Sequence, residues 1–435
     1  MKKAIFLIFN LLLVCRIFSQ TTWQPVAGFP GGNSTVHALG RSADLHTIIA
    51  GSWGTGIYRS TNDGAAWTQT SATEKAVYKF ETAPNGNIFA LWSNTTGVNI
   101  SRSTDGGVSW QAVYNHPQAN NYTYGGGIAF LPGGVYVAAL SETFGPLIGD
   151  IMTVIARSTD FGASWSQLSL QEGYYNDMSF VGTTVYSACS NPGMTRGVTR
   201  TTNGGTNWTD TGFPYFGECI KIDNTGNIYT GIWTGDQVTE KLLKSTDGGG
   251  SWSGGNLPGG NCLSLFISSN GNIYAGTDAF APNVPKIRRS TDQSSSWQEV
   301  NDGIQVGVKT YSFTENQAGD IFAGTTAGVF VLRNVTGIWP GAEEAPAEFR
   351  LEQNFPNPFN PSTVISFALK TAEYVNLKVY DISGSLVREL MDGNSKLEAG
   401  THKINFDAGN LSSGIYFYTL SSASGSKTNK MILIK

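Results

Sequence analysis

Ser103-Thr-Asp105-Gly-Gly107-Val-Ser-Trp110 is the stretch that decides the fold, because variants of it recur five more times along the chain. Each copy has a hydroxyl residue first, Asp or Asn two positions later, Gly or Ser two further, and Trp at the eighth position. Successive tryptophans of these box segments are 43, 55, 43, 44 and 45 residues apart. A fixed period of this length is typical of a repeat architecture.

The six box segments share their residue types and their spacing. Their defining residues are Ser60, Asn62, Gly64 and Trp67; Ser103, Asp105, Gly107 and Trp110; Ser158, Asp160, Gly162 and Trp165; Thr201, Asn203, Gly205 and Trp208; Ser245, Asp247, Gly249 and Trp252; and Ser290, Asp292 and Trp297, with Ser294 in place of the last Gly.

A short run of branched and aromatic residues forms a second repeated marker. Its seven copies start at Ile48, Ile88, Val135, Val185, Ile228, Ile273 and Ile321. Apolar and polar residues alternate between the turn signals, which is the periodicity of β-strands. About four short strands in a period of roughly 45 residues are typical of a β-propeller blade.

The number of blades follows from the two markers together. Trp23 precedes Trp67 by 44 residues, one normal period, so the N-terminal strand is expected to complete the last blade. The remaining strands of that blade would come from residues 309–334. The sequence therefore predicts an all-β, seven-bladed β-propeller over residues 20–337, with six or eight blades as alternatives.

The box segments resemble the Asp-box, or BNR repeat, of sialidases, sortilin-type receptors and xyloglucanase-like glycoside hydrolases. The resemblance covers residues 21–337 and implies that each box is a structural turn between the third and fourth strands of a blade. Short polar side chains that bond to nearby backbone N–H groups lock such turns. A calcium site is the alternative, but one or two carboxylates per box are too few oxygen ligands.

Residues 1–19 have the pattern of a signal peptide, with Lys2 and Lys3 before an apolar core from Ala4 to Val14. Cys15 raises a lipoprotein alternative, which Val14 disfavours because a small residue is expected before a lipidated Cys. No later stretch reaches 18 apolar residues, so we expect no transmembrane span.

Cys189, Cys219 and Cys262 follow the signal segment, and three cysteines do not make a disulfide framework. They are expected to be buried thiols, or to form one bridge whose partners the sequence does not assign. The four histidines have no metal-ligand spacing, and we predict no metal, cofactor or catalytic residue.

The repeats end before a linker at residues 338–348. In residues 349–435, predicted strands alternate with turns that contain Gly and Asn, and this pattern predicts a small immunoglobulin-like β-sandwich. This segment resembles the C-terminal sorting domain of type IX secretion substrates. The matching pieces are Asn354–Phe359, Val379–Gly384, Ser413–Tyr416 and Lys430–Lys435. An ordinary adhesion module is the alternative.

The resemblance implies that residues 349–435 bind the type IX secretion machinery. The protein would then be secreted or attached to the outer surface of a Gram-negative cell, with the signal peptide and the sorting domain removed. Charged residues make up 14% of the chain and its net charge is −4, so the sequence has no basic surface for nucleic acid.

If the boxes mark one face of the propeller, the loops of the opposite face carry aromatic residues and a few carboxylates. Such surfaces suit sugar rings or the apolar surface of a protein partner. The candidates are Trp53, Trp92, Tyr122, Tyr124, Tyr174, Tyr175, Tyr215, Phe216, Trp233, Glu142, Asp236 and Asp278. The longest of these loops, residues 140–154, is a further candidate for recognition.

A glycosidase needs two catalytic carboxylates about 5 Å or 6.5–9.5 Å apart. Nothing in the sequence indicates that any two of the loop carboxylates lie at such a separation. The Phe/Tyr-Arg-Ile-Pro motif of sialidases is also missing before the first box. We therefore predict a non-catalytic secreted propeller that binds a glycan or a protein. A divergent glycoside hydrolase is the alternative, and a structural envelope component is a third.

Overall fold

The computed structural model describes residues 22–30, 34–43, 45–70, 76–94, 97–117, 123–143, 151–190, 197–233, 241–278, 286–333, 349–354, 357–397 and 400–434. The predicted signal peptide, the linker 338–348 and residues 144–150 of the long loop lie outside these ranges. Contacts divide the chain into two compact units, one of Gln20–Val335 and one that contains Thr336–Lys435. Within the described ranges there is no α-helix, and hence no helix suited to crossing a membrane.

The larger unit consists of seven antiparallel sheets of four strands each. Strand β1 is Gln24–Pro25. Sheet 1 is β2 (Val36–Arg41), β3 (Ile48–Ser52), β4 (Gly56–Ser60) and β5 (Thr68–Gln69). Sheet 2 is β6 (Ala76–Thr82), β7 (Ile88–Asn94), β8 (Gly97–Ser103) and β9 (Gln111–Pro117). Sheet 3 is β10 (Thr123–Leu131), β11 (Val135–Thr143), β12 (Ile151–Ser158) and β13 (Ser166–Glu172).

The remaining sheets continue in chain order. Sheet 4 is β14 (Tyr174–Val181), β15 (Thr184–Ser190), β16 (Val198–Thr201) and β17 (Thr209–Asp210). Sheet 5 is β18 (Gly217–Ile222), β19 (Ile228–Ile232), β20 (Leu242–Ser245) and β21 (Ser253–Gly254). Sheet 6 is β22 (Cys262–Ile267), β23 (Ile273–Thr277), β24 (Lys286–Ser290) and β25 (Gln298–Glu299). Sheet 7 is β26 (Thr310–Glu315), β27 (Ile321–Thr325), β28 (Gly328–Leu332) and β1.

The second strands explain why the repeat folds in this way. In β3, β19, β23 and β27 every residue is buried, because each strand packs against neighbours on both faces. Small residues lie where the next sheet comes closest: a Cβ atom on Gly51 would be only 2.6 Å from the Cβ of Val77. Branched residues suit the pleat of these strands, and glycine permits the close approach.

The N-terminal strand joins the last sheet, as the sequence predicts. Gln24 pairs with Val331 and Pro25 with Phe330, so β1 is the edge strand beside β28. An edge is the position in which a sheet tolerates proline, since proline has no N–H to donate. Trp23 is 1% exposed, and its Nε1 donates to the carbonyl oxygen of Val300 at 2.7 Å.

Hydrophobic clusters fill the junctions between neighbouring sheets. One cluster lies between each successive pair of sheets, and another joins sheet 7 to sheet 1 through Phe322, Val329 and Tyr58. The first strands also contact one another in this order, with β26 against β2. Burial of apolar side chains between sheets therefore holds the larger unit together.

The box segments form tight turns between the third and fourth strands of sheets 1 to 6. In the second box Ser103 Oγ donates to Asp105 Oδ1 at 2.8 Å, and Oγ accepts from the N–H of Gly107 at 2.8 Å. The carboxylate also accepts from the N–H of Ser109. Equivalent bonds recur in the other boxes. In the third box, hydrogen bonds from Ser164 hold the pKa of Asp160 at about 2.

The C-terminal unit has two antiparallel sheets. One contains β29 (Arg350–Leu351), β30 (Ser362–Leu369) and β33 (Gly400–Asp407). The other contains β31 (Glu373–Asp381), β32 (Leu386–Leu397), β34 (Gly414–Ser422) and β35 (Gly425–Leu433) in the order β32-β31-β34-β35. A single hydrophobic cluster, with Phe367, Phe406 and Tyr418 at its centre, draws on strands of both sheets.

Candidate ligand-binding site

The first strands of the seven sheets surround one cavity of about 1400 Å³. Among the described residues, sheet 3 contributes only Gly126 to its wall, whereas the other sheets contribute side chains of several types. Ligand-binding sites are usually concave with a few convergent polar and aromatic groups, and this cavity is larger than the typical range of about 300–1,000 Å³.

The register of the strands tells which end of the cavity faces the boxes. Ser60 opens the first box and pairs with Ile48, the first residue of β3, whereas Trp53 follows the last residue of the same strand. Trp233 follows the last residue of β19 in the same way. Both tryptophans therefore lie at the edge opposite the boxes, which we call the far face.

A β-bulge recurs near the start of six of the first strands. The register skips one residue in each of them, and that residue lines the cavity. The six bulged residues are His37, Tyr78, Asn176, Glu218, Leu263 and Tyr311. A bulge re-aims a side chain that would otherwise follow the strand alternation. The repeat thus places a ring of side chains, one from each of these sheets, near the far face.

Three of the bulged residues belong to one aromatic cluster. His37 stacks on Tyr311 with ring centroids 4.3 Å apart, and Trp53 lies 5.1 Å from His37. Trp53 also meets Tyr78 edge-on at 5.8 Å. Trp53 remains 51% exposed, so this rim cluster presents the indole ring toward solvent. The arrangement offers an apolar ring face beside hydroxyl groups, which suits amphipathic ligands.

Burial shifts the pKa of two titratable groups of the ring toward the uncharged form. Burial lowers the pKa of His37 to about 4, so its imidazole is neutral. Burial, with the negative charges of Asp177 and Asp278, raises the pKa of Glu218 to about 7. Asp278 itself forms an ion pair with Lys309 at 2.9 Å. At neutral pH the ring is therefore polar and aromatic, with His37 neutral and Glu218 only partly ionised.

Buried ion pairs lie deeper in the cavity and link separate sheets. Asp177 accepts from Lys79 of sheet 2 at 2.6 Å and from Lys221 of sheet 5 at 2.7 Å. Although burial opposes its ionisation, these two cations lower the pKa of Asp177 to about 2. Glu315 likewise joins Arg41, at 2.8 Å, to the backbone N–H of Ser269. These two carboxylates each tie three sheets together.

Two glycines of sheet 3 lie in close contact with neighbouring strands. A Cβ atom on Gly127 would lie 2.7 Å from the Cβ of Met178, and one on Gly126 would lie 2.2 Å from the carbonyl oxygen of Ala139. Neither position has room for a side chain.

The structure places the residues nominated from the sequence in different environments. Trp53, Trp233 and Tyr174 line the cavity together, and Trp233 is 48% exposed. Tyr215 and Phe216 are half-buried, and Asp278 is paired with Lys309 as described above. Tyr122 and Asp236 lie outside the described residues, and of Tyr124 and Glu142 only the backbone is described, in β10 and β11.

Trp92 and Tyr175 differ from the expectation of a solvent-facing position. Trp92 is 8% exposed and donates from Nε1 to Ser101 Oγ at 2.8 Å, because β7 continues past it to Asn94. Tyr175 is 2% exposed and packs edge-on against Trp208. Both rings belong to the junctions between sheets, so neither presents a face to a ligand at the surface.

Most of the bulged ring was not nominated from the sequence. A positional signal exists: Tyr78, Glu218, Leu263 and Tyr311 each lie ten residues before the strand marker of their sheet, at Ile88, Ile228, Ile273 and Ile321. The bulge itself leaves no mark in the alternation of apolar and polar residues. Only the register of the folded sheet reveals that these residues share one position.

Comparison with known proteins identifies the C-terminal unit. Residues 353–435 match the family described as "Secretion system C-terminal sorting domain". These residues are a type IX secretion sorting domain. The sorting domain makes the protein a secreted or cell-surface one. No curated protein matches the chain.

Solved structures identify the fold of the larger unit. One similar structure is "YCF48 bound to D1 peptide", with a TM-score of 0.53 and 14% identity over 73% of this chain and 97% of that chain. Another is the Niastella koreensis GH74 enzyme, with a TM-score of 0.52 and 14% identity over 95% of this chain and 75% of that one. YCF48 from Cyanidioschyzon merolae has a TM-score of 0.50 and 14% identity over 71% of this chain and 98% of that chain. The unit before the sorting domain thus shares the β-propeller fold.

Proposed function

We propose that this protein is a non-catalytic binding module, a seven-bladed Asp-box β-propeller that type IX secretion carries out of the cell. Each four-stranded sheet is one blade in this proposal, and β1 completes the seventh. The C-terminal unit is an immunoglobulin-like sandwich that binds the secretion machinery. Residues 1–19 serve as the signal peptide, and both end segments are removed on export.

The ligand in this proposal is an uncharged glycan bound at the far face. The observation that carries it is the ring of bulged residues beside two half-exposed tryptophans, Trp53 and Trp233, on the wall of one cavity. Indole rings stack on the apolar faces of sugars, while Tyr78, Asn176 and Glu218 supply hydrogen-bonding groups to sugar hydroxyls. The low net charge of the ring favours neutral over acidic sugars.

Binding to a panel of polysaccharides tests this function. The chain from Gln20 to Lys435 is titrated with soluble neutral glycans and with acidic ones as comparison. We expect Trp53→Ala and Trp233→Ala each to weaken binding about tenfold, roughly 1.4 kcal/mol. Phe161→Ala is the matched control, because Phe161 is 52% exposed but belongs to a box segment at the other edge. If no glycan binds, the proposal of a glycan ligand is wrong.

A divergent glycoside hydrolase is the second candidate, and Glu218 is the observation that favours it. A carboxyl whose pKa is raised to about 7, partly by the negative charges of Asp177 and Asp278, suits the general acid of a glycosidase. Release of new reducing ends from any polysaccharide, lost in Glu218→Gln, would support this candidate and exclude the non-catalytic one. The structural relatives include a peptide-bound protein and a GH74 enzyme, so the fold suits either function.

Deletion of residues 349–435 tests the export part of the proposal. Without the sorting domain the protein should cross only the inner membrane and accumulate in the periplasm. Cell fractionation with an antibody against the propeller measures this. Continued secretion of the truncated chain would contradict the role of the sorting domain.

A further inference from the structure

Two thiols meet at the junction between sheets 5 and 6. Cys219 lies in β18 and Cys262 in β22, and their Sγ atoms are 3.8 Å apart. Both residues are buried, and Cys219 Sγ is also 3.5 Å from the carbonyl oxygen of Cys262. The third cysteine of the propeller, Cys189, contacts Thr199 and Ser187 instead.

The next junction shows what the repeat places at the same positions. Cys219 pairs with Gly231 directly after the bulge of β18, as Ser264 pairs with Gly276 directly after the bulge of β22. Cys262 precedes its bulge, as Thr310 does in β26. At the junction of sheets 6 and 7, Ser264 Oγ donates to the carbonyl oxygen of Thr310 at 2.9 Å. The two cysteines together replace this serine and threonine.

Gly231 provides the space for both sulfurs. A Cβ atom on Gly231 would lie 2.5 Å from Cys219 Sγ and 2.9 Å from Cys262 Sγ. The sulfur atoms therefore share one small pocket with no side chain between them. A disulfide needs an S–S distance of about 2.05 Å, so the two sulfurs, now 3.8 Å apart, must move closer for a bond to form.

We propose that Cys219 and Cys262 form a disulfide when the protein is exported, and that Cys189 stays a thiol. The sorting domain sends the chain to the cell exterior, where disulfides form and persist. Because both cysteines flank bulges, the bridge would fix the neighbouring ring residues Glu218 and Leu263 relative to each other.

The oxidation is a thiol–disulfide exchange with an oxidised dithiol protein of the cell envelope. The thiolate of one cysteine attacks the disulfide of the oxidant, and a mixed disulfide forms. The thiolate of the second cysteine then displaces the oxidant, which leaves as a dithiol with both electrons and both protons. Burial raises the pKa of Cys219 in the folded protein, which disfavours the reactive thiolate. The exchange should therefore take place before sheets 5 and 6 pack together.

Counting thiols in the exported protein tests the proposal. The protein is collected from the medium or the cell surface, denatured without reductant and alkylated, and its peptides are mapped by mass. We expect alkylated Cys189 and one linked pair of peptides that carry Cys219 and Cys262. Alkylation of all three cysteines, or a link that involves Cys189, would overturn the assignment.

A double variant separates the effect of the bond from that of the packing. Cys219→Ser with Cys262→Thr copies the junction of sheets 6 and 7 and cannot be oxidised. Reductant should lower the melting temperature of the wild type by several degrees and leave that of the variant unchanged. Equal responses would contradict the proposal. Neither measurement needs a ligand, so this result is independent of the proposed function.

Discussion

His37 and Tyr311 stack at 4.3 Å, although one belongs to the first sheet of the propeller and the other to the last. Each is the bulged residue of its strand, so the contact depends on two bulges that face each other across the junction. The junction that joins the two ends of the unit therefore also supports the rim cluster beneath Trp53.

Replacement of Tyr311 by Ala should raise the pKa of His37 from about 4 toward its ordinary value near 6.5. The reason is that the phenol ring excludes water from the imidazole, and burial is the cause of the lowered pKa. An NMR titration of the His37 ring protons measures the change. Tyr311→Phe keeps the ring and should leave the pKa low; an unchanged pKa in Tyr311→Ala would contradict this account.

Replacement of Glu218 by Gln should stabilise the protein above pH 7 and have little effect near pH 4. The folded-state pKa of Glu218, about 7, exceeds the ordinary value of 4.5. Folding then favours the protonated form, so the wild type loses stability as the pH rises from about 4.5 to 7. Urea unfolding of both proteins between pH 4 and pH 8 measures the difference. Parallel stability profiles would show that Glu218 titrates normally.

Replacement of Asp177 by Ala should cost roughly 3–5 kcal/mol of unfolding free energy. The variant leaves Lys79 and Lys221 without their shared buried carboxylate, and two backbone N–H groups lose their acceptor. Glu299→Ala is the matched control, because Glu299 is 41% exposed where it pairs with Lys286, and the pair should contribute under about 1 kcal/mol. If chemical denaturation shows similar losses of unfolding free energy for Asp177→Ala and Glu299→Ala, the buried ion pairs of Asp177 have no special role.

Replacement of Ser294 by Gly should stabilise the protein by up to about 1 kcal/mol. Ser294 has φ of 70°, where the other five boxes have Gly with φ between 76° and 87°. A side chain in this left-handed region costs roughly 1–2 kcal/mol, and Gly would remove that strain. Part of the gain in stability is lost because glycine has greater conformational freedom in the unfolded chain. The control Gly249→Ser in the fifth box should destabilise. Thermal unfolding measures both changes.

The repeat allowed the strands and turns of the larger unit to be predicted from the sequence. The bulged residues that line the cavity could not be predicted in the same way. Six of the seven strand markers are the first residues of the second strands, and the seventh, Val185, is one residue inside β15. Strand periodicity and turn residues are local signals, so they survive in a single sequence. A bulge depends on how two strands pair, which is a property of the folded sheet.

Trp53 and Trp92 differ by one position relative to their strand markers, yet Trp53 is exposed and Trp92 is buried. Trp53 lies five residues after its marker, Ile48, whereas Trp92 lies four after Ile88. Successive residues of a strand point to opposite faces, so a shift by one residue changes the environment. β7 also extends beyond Trp92, while β3 ends before Trp53. The length of a strand cannot be read from aromatic residues alone.

The pairing of β1 with β28 gives the propeller a mechanical weak point. Strand β1 has just two residues, Gln24 and Pro25, and proline offers no donor, so the backbone N–H of Val26 to Val329 is one of the few further bonds to β28. Tension between the two ends of the unit would load this short seam before any of the longer hairpins. In a circular permutant that joins the ends by a turn at the box edge and starts in a far-face loop instead, the seam becomes a covalent turn. Single-molecule pulling should then lose the earliest, lowest-force event.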